Sequence, residues 1–184
     1  EAVSAPRQAL AGASLLVFAV PAKTLRQNVC WVRDAIKNAP FDRLRTAPVV
    51  LSATKGLEVD SGQRMSQVLE AELPSHLHSR ICVLSGPNLA KEIVKGKPAS
   101  TVVASRDALV AESVQDALMS PIFRVYTNTD VVGVELGGAL KNIIALGAGV
   151  CDGFGYGDNA KAAFITRGLA EITRLGVAAG ADPL

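Results

Sequence analysis

Short apolar runs alternate along the chain with longer stretches in which apolar residues recur every three or four positions. That alternation predicts a parallel sheet with crossover helices, a doubly wound α/β arrangement. Residues 14–20, Ser-Leu-Leu-Val-Phe-Ala-Val, read as a buried strand stopped by Pro21. Over 24–38 a helical period puts Leu25, Val29, Val32 and Ile36 on one face. A second strand is expected at 48–52, leading into Ala53-Thr54-Lys55-Gly56, and then an amphipathic helix over 63–73 with Met65, Val68, Leu69 and Leu73 inward. The third strand, 80–84, is broken by Ser85-Gly86-Pro87, and Asn88 is placed to cap a short helix reaching Val94. Strands at 101–104 and 123–126 flank a helix over 108–119. From Val131 the pattern is helical almost to the end, with one glycine-rich break at 153–157. A boundary near Asn128 follows, with an α/β part over 1–127 and the start of an all-helical part over 128–184.

Composition narrows the function classes. Hydrophobic residues make up 49% of the 184 and charged residues 20%, which suits a packed core rather than a disordered chain. A net charge of +2, without a basic run or interleaved aromatics, gives no support to nucleic-acid binding. Cys30, Cys82 and Cys151 are odd in number and widely spaced, so they form neither a metal motif nor a disulfide framework. A reducing compartment is the expectation, the cytoplasm first and a plastid left open. His76 and His78 fall in the polar stretch Pro74-Ser75-His76-Leu77-His78-Ser79-Arg80, read as a solvated loop rather than a ligand pair. No uninterrupted apolar run approaches the roughly 18 residues needed to cross a bilayer, so no membrane span is expected.

The chemistry concentrates in a few places. Within residues 137–150, Lys141 and Asn142 are the only strongly polar side chains in a helix of small and apolar residues. Small residues let backbones approach, so this helix is expected to be buried on most faces. A lysine deprived of hydration there gives up its proton more readily, as a general base must. The alternative, a lysine snorkelling outward from one helix edge, stays open on these residues alone. Ligands of doubly wound sheets bind beyond the carboxyl ends of the strands. Pro21, Lys55 and the turn Ser85-Gly86-Pro87-Asn88 all occupy such ends. Lys55 could reach a bound anion, and Asn88 offers an amide beside free backbone N–H groups. The plainer readings are a solvated loop lysine and an ordinary helix cap.

The run Gly138-Ala139-Leu140-Lys141-Asn142-Ile143-Ile144-Ala145, continued through Gly149 to Asp152-Gly153-Phe154-Gly155-Tyr156-Gly157-Asp158-Asn159, resembles the motif of the NAD(P)-dependent glycerol-3-phosphate dehydrogenases. The blocks at 52–58, 84–92, 123–128 and 160–171 are similar to that family's other blocks, in the same order. The resemblance implies a Rossmann-like sheet, here without its first βα unit. It implies NAD or NADP as cofactor, and glycerol 3-phosphate and dihydroxyacetone phosphate as the small-molecule substrates. Lys141 matches the family's proton acceptor and substrate contact, and Asn142 a substrate contact. Lys55 matches a lysine touching both cofactor and substrate, Gly86 and Asn88 match substrate positions, and Pro21 and Ala90 fall at cofactor positions. Relatives commonly pair through the helical part, so a homodimer is an open expectation.

No Gly-x-Gly-x-x-Gly occurs in the chain, and the family's pyrophosphate cradle would precede Glu1. The substrate-phosphate arginine would follow Leu184. The piece alone is therefore expected to bind dinucleotide poorly and to be inactive. NAD against NADP preference is not legible in these residues. Two other readings stay in view, a non-catalytic remnant acting as a binding or assembly module, and another two-domain hydroxy-acid dehydrogenase.

Overall fold

The computed structural model describes residues 5–37 and 47–183. A short helix α1 (Pro6–Leu10), absent from the sequence expectation, precedes strand β1 (Leu15–Phe18) and helix α2 (Ala22–Lys37). The expected end of α2 at Asn38 lies outside the described residues. Strand β2 (Val49–Ser52), helix α3 (Met65–Glu72), β3 (Ile81–Ser85), α4 (Ala90–Ile93) and β4 (Ala99–Ala104) follow. Helix α5 (Ala108–Leu118), β5 (Phe123–Asn128), α6 (Val131–Gly153) and α7 (Gly157–Ala178) complete the chain.

The strands form one five-stranded sheet in sequential order, β1-β2-β3-β4-β5. Pairing is parallel except between β3 and β4, where Ser85 faces Val102 and Leu84 faces Val103 in antiparallel register. The sheet is Rossmann-like, but mixed rather than all-parallel. The thirteen residues between β3 and β4 read as a crossover with its own helix, whereas α4 is one turn long and the chain doubles back.

Helices cover the two faces through separate apolar clusters. Leu25, Val29 and Ile36 of α2 pack with Met65, Val68 and Leu69 of α3 against Val50 and Ile81. On the other face Val110, Ala111 and Val114 of α5 meet Leu51, Cys82, Val103 and Val125. The residues assigned inward on α2 and α3 are those found buried, except Val32, which is partly covered. The Pro74–Arg80 stretch is not plain loop. It forms a 3₁₀ turn over Ser75–Arg80 with Leu77 fully buried, and the His78 ring hydrogen-bonds the Leu73 carbonyl at 3.1 Å.

Helix α6 also departs from expectation. It runs 23 residues with a mean hydropathy of 1.4 over its most apolar window, long and apolar enough by length and composition to cross a membrane. Glu135 and Lys141 interrupt the apolar run of this helix without lowering its average hydropathy much. Nor is it enclosed on most faces. Val131, Leu136, Gly138 and Cys151 are buried, while Ile143, Leu146 and Val150 are exposed among the described residues. Its first half lies on β3 and β4, where Val131 and Val134 pack against Val83 and Ala104.

Core burial on the α2–α3 face sets an expected stability difference. Leu69→Ala, at a fully buried position, should lower urea-unfolding stability by about 2–5 kcal/mol. Val59→Ala, 86% exposed, should stay within about 0.5 kcal/mol.

Candidate active site

The carboxyl ends of β1, β2 and β3 point to one edge of the sheet, and α6 crosses above the end of β3. Strand β3 ends at Ser85, shortly before Pro87, which has no N–H to give to the ladder. Gly86 is demanded by close approach. A Cβ at that position would lie 2.9 Å from both the Ser100 carbonyl oxygen and Thr101 Cα. The turn that follows closes when the Asn88 N–H donates to the Gly86 carbonyl at 3.0 Å, centred on Pro87.

Two lysines reach the same oxygen. Lys141 Nζ donates to the Gly86 carbonyl at 2.8 Å from α6, and Lys55 Nζ donates to it at 3.0 Å from the loop after β2. Their ammonium groups are thus within about 6 Å of each other, the range over which like charges disfavour one another. Lys55 is exposed overall, yet its ammonium loses hydration against the turn, which lowers its pKa, and the positive charge of Lys141 lowers it further. Two ammonium groups converging on one carbonyl give a locus that favours an oxyanion or a negatively charged ligand.

Both lysines are held from behind. Thr54 Oγ1 donates to the Val20 carbonyl at 2.8 Å, tying the loop after β2 to the end of β1. Three residues beyond Lys55, Glu58 receives Arg26 Nε at 2.8 Å and Arg26 Nη2 at 2.7 Å. Those hydrogen bonds from Arg26, helped by one from Ser61, draw the Glu58 carboxyl down to a pKa of about 2. Helix α6 is fixed by Glu135, whose carboxylate accepts Arg64 Nη1 at 2.5 Å, the Ser66 N–H at 2.7 Å and the Ser66 hydroxyl at 2.6 Å. The Arg64 and Glu135 side chains are 12% and 6% exposed, so this pair is largely withdrawn from water. It lies at the N-terminus of α3, where a carboxylate also meets the favourable end of the helix dipole. Gly138, one turn before Lys141, lets α6 approach β3 so closely that a methyl there would collide with the Ser85 hydroxyl.

The structure gathers Lys55, Gly86 and Lys141 around one oxygen, with Asn88 in the same turn. Asn88 is not a helix cap. Leu89 holds the cap position of the single-turn α4, and the Asn88 amide instead donates to Thr101 Oγ1 at 2.9 Å. A four-residue helix with no free dipole to speak of is a weaker anion site than the sequence reading supposed. Pro21 is exposed at the end of β1, beside the Thr54 contact, and Ala90 is exposed at the start of α4. Asn142 is exposed on α6, about 100° around the helix from Lys141 and away from the shared oxygen. Lys141 does not snorkel outward, since its amine is drawn onto the turn. Thr54, Arg64, Ser66, Thr101 and Glu135 escaped the sequence reading. An acid in the apolar first half of α6, Glu135, was the one available signal.

A helix carrying an amine thus crosses the strand-end edge of a Rossmann-like sheet, the edge at which ligands of such sheets bind. Residues 1–111 match the family described as NAD-dependent glycerol-3-phosphate dehydrogenase N-terminus, and residues 130–184 the one described as its C-terminus. The chain is 51% identical over 177 residues to the glycerol-3-phosphate dehydrogenase [NAD(P)+] of Lactiplantibacillus plantarum, covering 96% of this chain and 51% of that protein. It is 55% identical over 177 residues to the protein of the same name from Thermobifida fusca, covering 95% of this chain and 49% of the relative. The crystal structure of glycerol-3-phosphate dehydrogenase from Coxiella burnetii superposes with a TM-score of 0.80 at 31% identity, over 96% of this chain and 50% of that one. The chain belongs to the NAD-dependent glycerol-3-phosphate dehydrogenase family. It spans about half the length of the curated relatives it matches.

Because backbone atoms crowd Gly86, Gly86→Ala should displace the turn and lower unfolding stability by about 1–3 kcal/mol. Gly137→Ala on α6, with nothing within 4 Å of the added methyl, should be neutral or stabilising by up to about 1 kcal/mol. Thermal unfolding of the two variants in the full-length protein checks the contrast.

Proposed function

We propose that the protein containing this chain interconverts sn-glycerol 3-phosphate and dihydroxyacetone phosphate, using NAD or NADP. The observation that supports it most is the meeting of Lys55 and Lys141 on the Gly86 carbonyl. A hydroxyl or ketone oxygen placed beside that carbonyl would have two ammonium groups to replace it. Lys141 takes the proton of the C2 hydroxyl as the carbonyl forms, and in the reverse direction its ammonium donates to the ketone oxygen. Lys55 balances substrate negative charge from the other side of the same turn. Gly86 and Asn88 form the floor of the substrate position, and Asn142, which faces away from the shared oxygen, contacts the part of the substrate that reaches past Lys141.

The strand-end edge carrying Pro21, Lys55 and Ala90 fits one flank of a dinucleotide, since the ends of three parallel strands open onto it. When bound there, NAD or NADP supplies the acceptor for the C2 hydride. The division of labour follows the change of structure near Asn128, with cofactor contacts on the α/β part and the proton carrier on the helical part. A homodimer built through the helical part agrees with the exposed apolar residues of α6.

The test is dihydroxyacetone phosphate-dependent oxidation of NADH and NADPH by the full-length gene product. Lys141→Ala should lower kcat about 10²–10⁴-fold, and Lys141→Arg, which keeps the charge but cannot release a proton near neutrality, should not restore it. A full-length protein that binds cofactor but leaves dihydroxyacetone phosphate unreacted would overturn the proposal.

A further inference from the structure

Thr101 lies on β4, 2% exposed, with a hydroxyl that makes two hydrogen bonds of opposite sense. It meets the Ser85 carbonyl at 3.0 Å and the Asn88 amide at 2.9 Å. A carbonyl only accepts, so the single hydroxyl proton of Thr101 is committed to Ser85. What remains on the Thr101 oxygen is lone pairs, which require a donor from Asn88. The Asn88 NH₂ must therefore turn toward Thr101, and Oδ1 must turn away from it. Oδ1 is in fact buried and without a hydrogen-bond partner among the described residues.

We propose that Thr101 is a positioning residue that fixes the polarity of the Asn88 carboxamide, so that the substrate position presents an acceptor and selects a ligand hydroxyl. This rests on the proposed reading of the chain as a glycerol phosphate oxidoreductase. The terminal C1 hydroxyl is the donor that glycerol 3-phosphate and dihydroxyacetone phosphate both carry, whatever the oxidation state of C2. An acceptor of fixed polarity therefore serves both directions of the reaction. A site built to pair with a hydroxyl discriminates strongly against an analogue lacking it, because the buried acceptor is then left unmet. The antiparallel return of β4 makes this possible. It sets Val102 opposite Ser85 and so brings Thr101 beside the turn.

The experiment uses the full-length enzyme and two ketone substrates, dihydroxyacetone phosphate and its 1-deoxy analogue acetol phosphate. Thr101→Val, which keeps the shape but removes the hydroxyl, should lower kcat/KM for dihydroxyacetone phosphate about tenfold and leave that for acetol phosphate nearly unchanged. Thr101→Ser should restore the discrimination. Equal losses on both substrates would mean a merely structural role and overturn the proposal, as would no loss on either. A second readout does not depend on turnover. The Asn88 side-chain NH₂ resonance, assigned by its loss in Asn88→Ala, should exchange slowly with solvent in the wild type and fast in Thr101→Val. Should the wild-type protein reduce neither ketone, the dehydrogenase reading fails, and this exchange contrast alone decides the Thr101 assignment. Unchanged exchange in Thr101→Val overturns it.

Discussion

The carbonyl oxygen of Gly86 accepts three N–H donors, from Lys55, Lys141 and the backbone of Asn88. Three donors reach one carbonyl only if the strand stops there, the chain folds back within two residues and two distant segments arrive together. Gly86 and Pro87 provide the stop and the turn. The loop after β2 and the first half of α6 provide the lysines. Lys55 would not choose this place alone, since it loses hydration there and meets the charge of Lys141. Both lysines are held there by contacts made elsewhere.

Those contacts are of two kinds. Lys55 is held through its loop, by Thr54 on the end of β1 and by Glu58 on Arg26. Lys141 is held through its helix, by the largely buried Glu135–Arg64 pair and by the close approach that Gly138 permits. A buried pair is weak evidence for net stability but strong evidence for a fixed arrangement, because separating its members leaves a charge unmet. The first two turns of α6 thus carry the contacts that tie the helix to the sheet and to α3.

Much of this was legible in the sequence. Periodicity located β1, β2, β3, β5, α2, α3 and α5, because each buries one face or stripe and the pattern follows burial directly. The break between α6 and α7 was readable from the glycines at 153, 155 and 157. The antiparallel return of β4 was not, since strand direction leaves no mark on the spacing of apolar residues. With it went the role of Asn88, which looks like a cap in one dimension and is claimed by Thr101 in three. Lys141 stood out because a lysine in a helix of small residues is out of place by local rules, and Lys55 because it follows a strand at the edge where ligands of such sheets bind. Glu135 and Arg64 are 71 positions apart in sequence, and nothing local announces that they meet.

The convergence of the two lysines is tested most directly by titrating Lys55 in full-length protein carrying ¹³Cε-labelled lysine, its resonance assigned by loss in Lys55→Arg. Lys55 should titrate below the ordinary lysine value of 10.5, and Lys141→Met should move its titration part of the way back up. Desolvation at the turn would account for the part that remains. A Lys55 titration unchanged by Lys141→Met would mean that the two ammonium groups do not share the Gly86 carbonyl in solution, and the site built around it would fall.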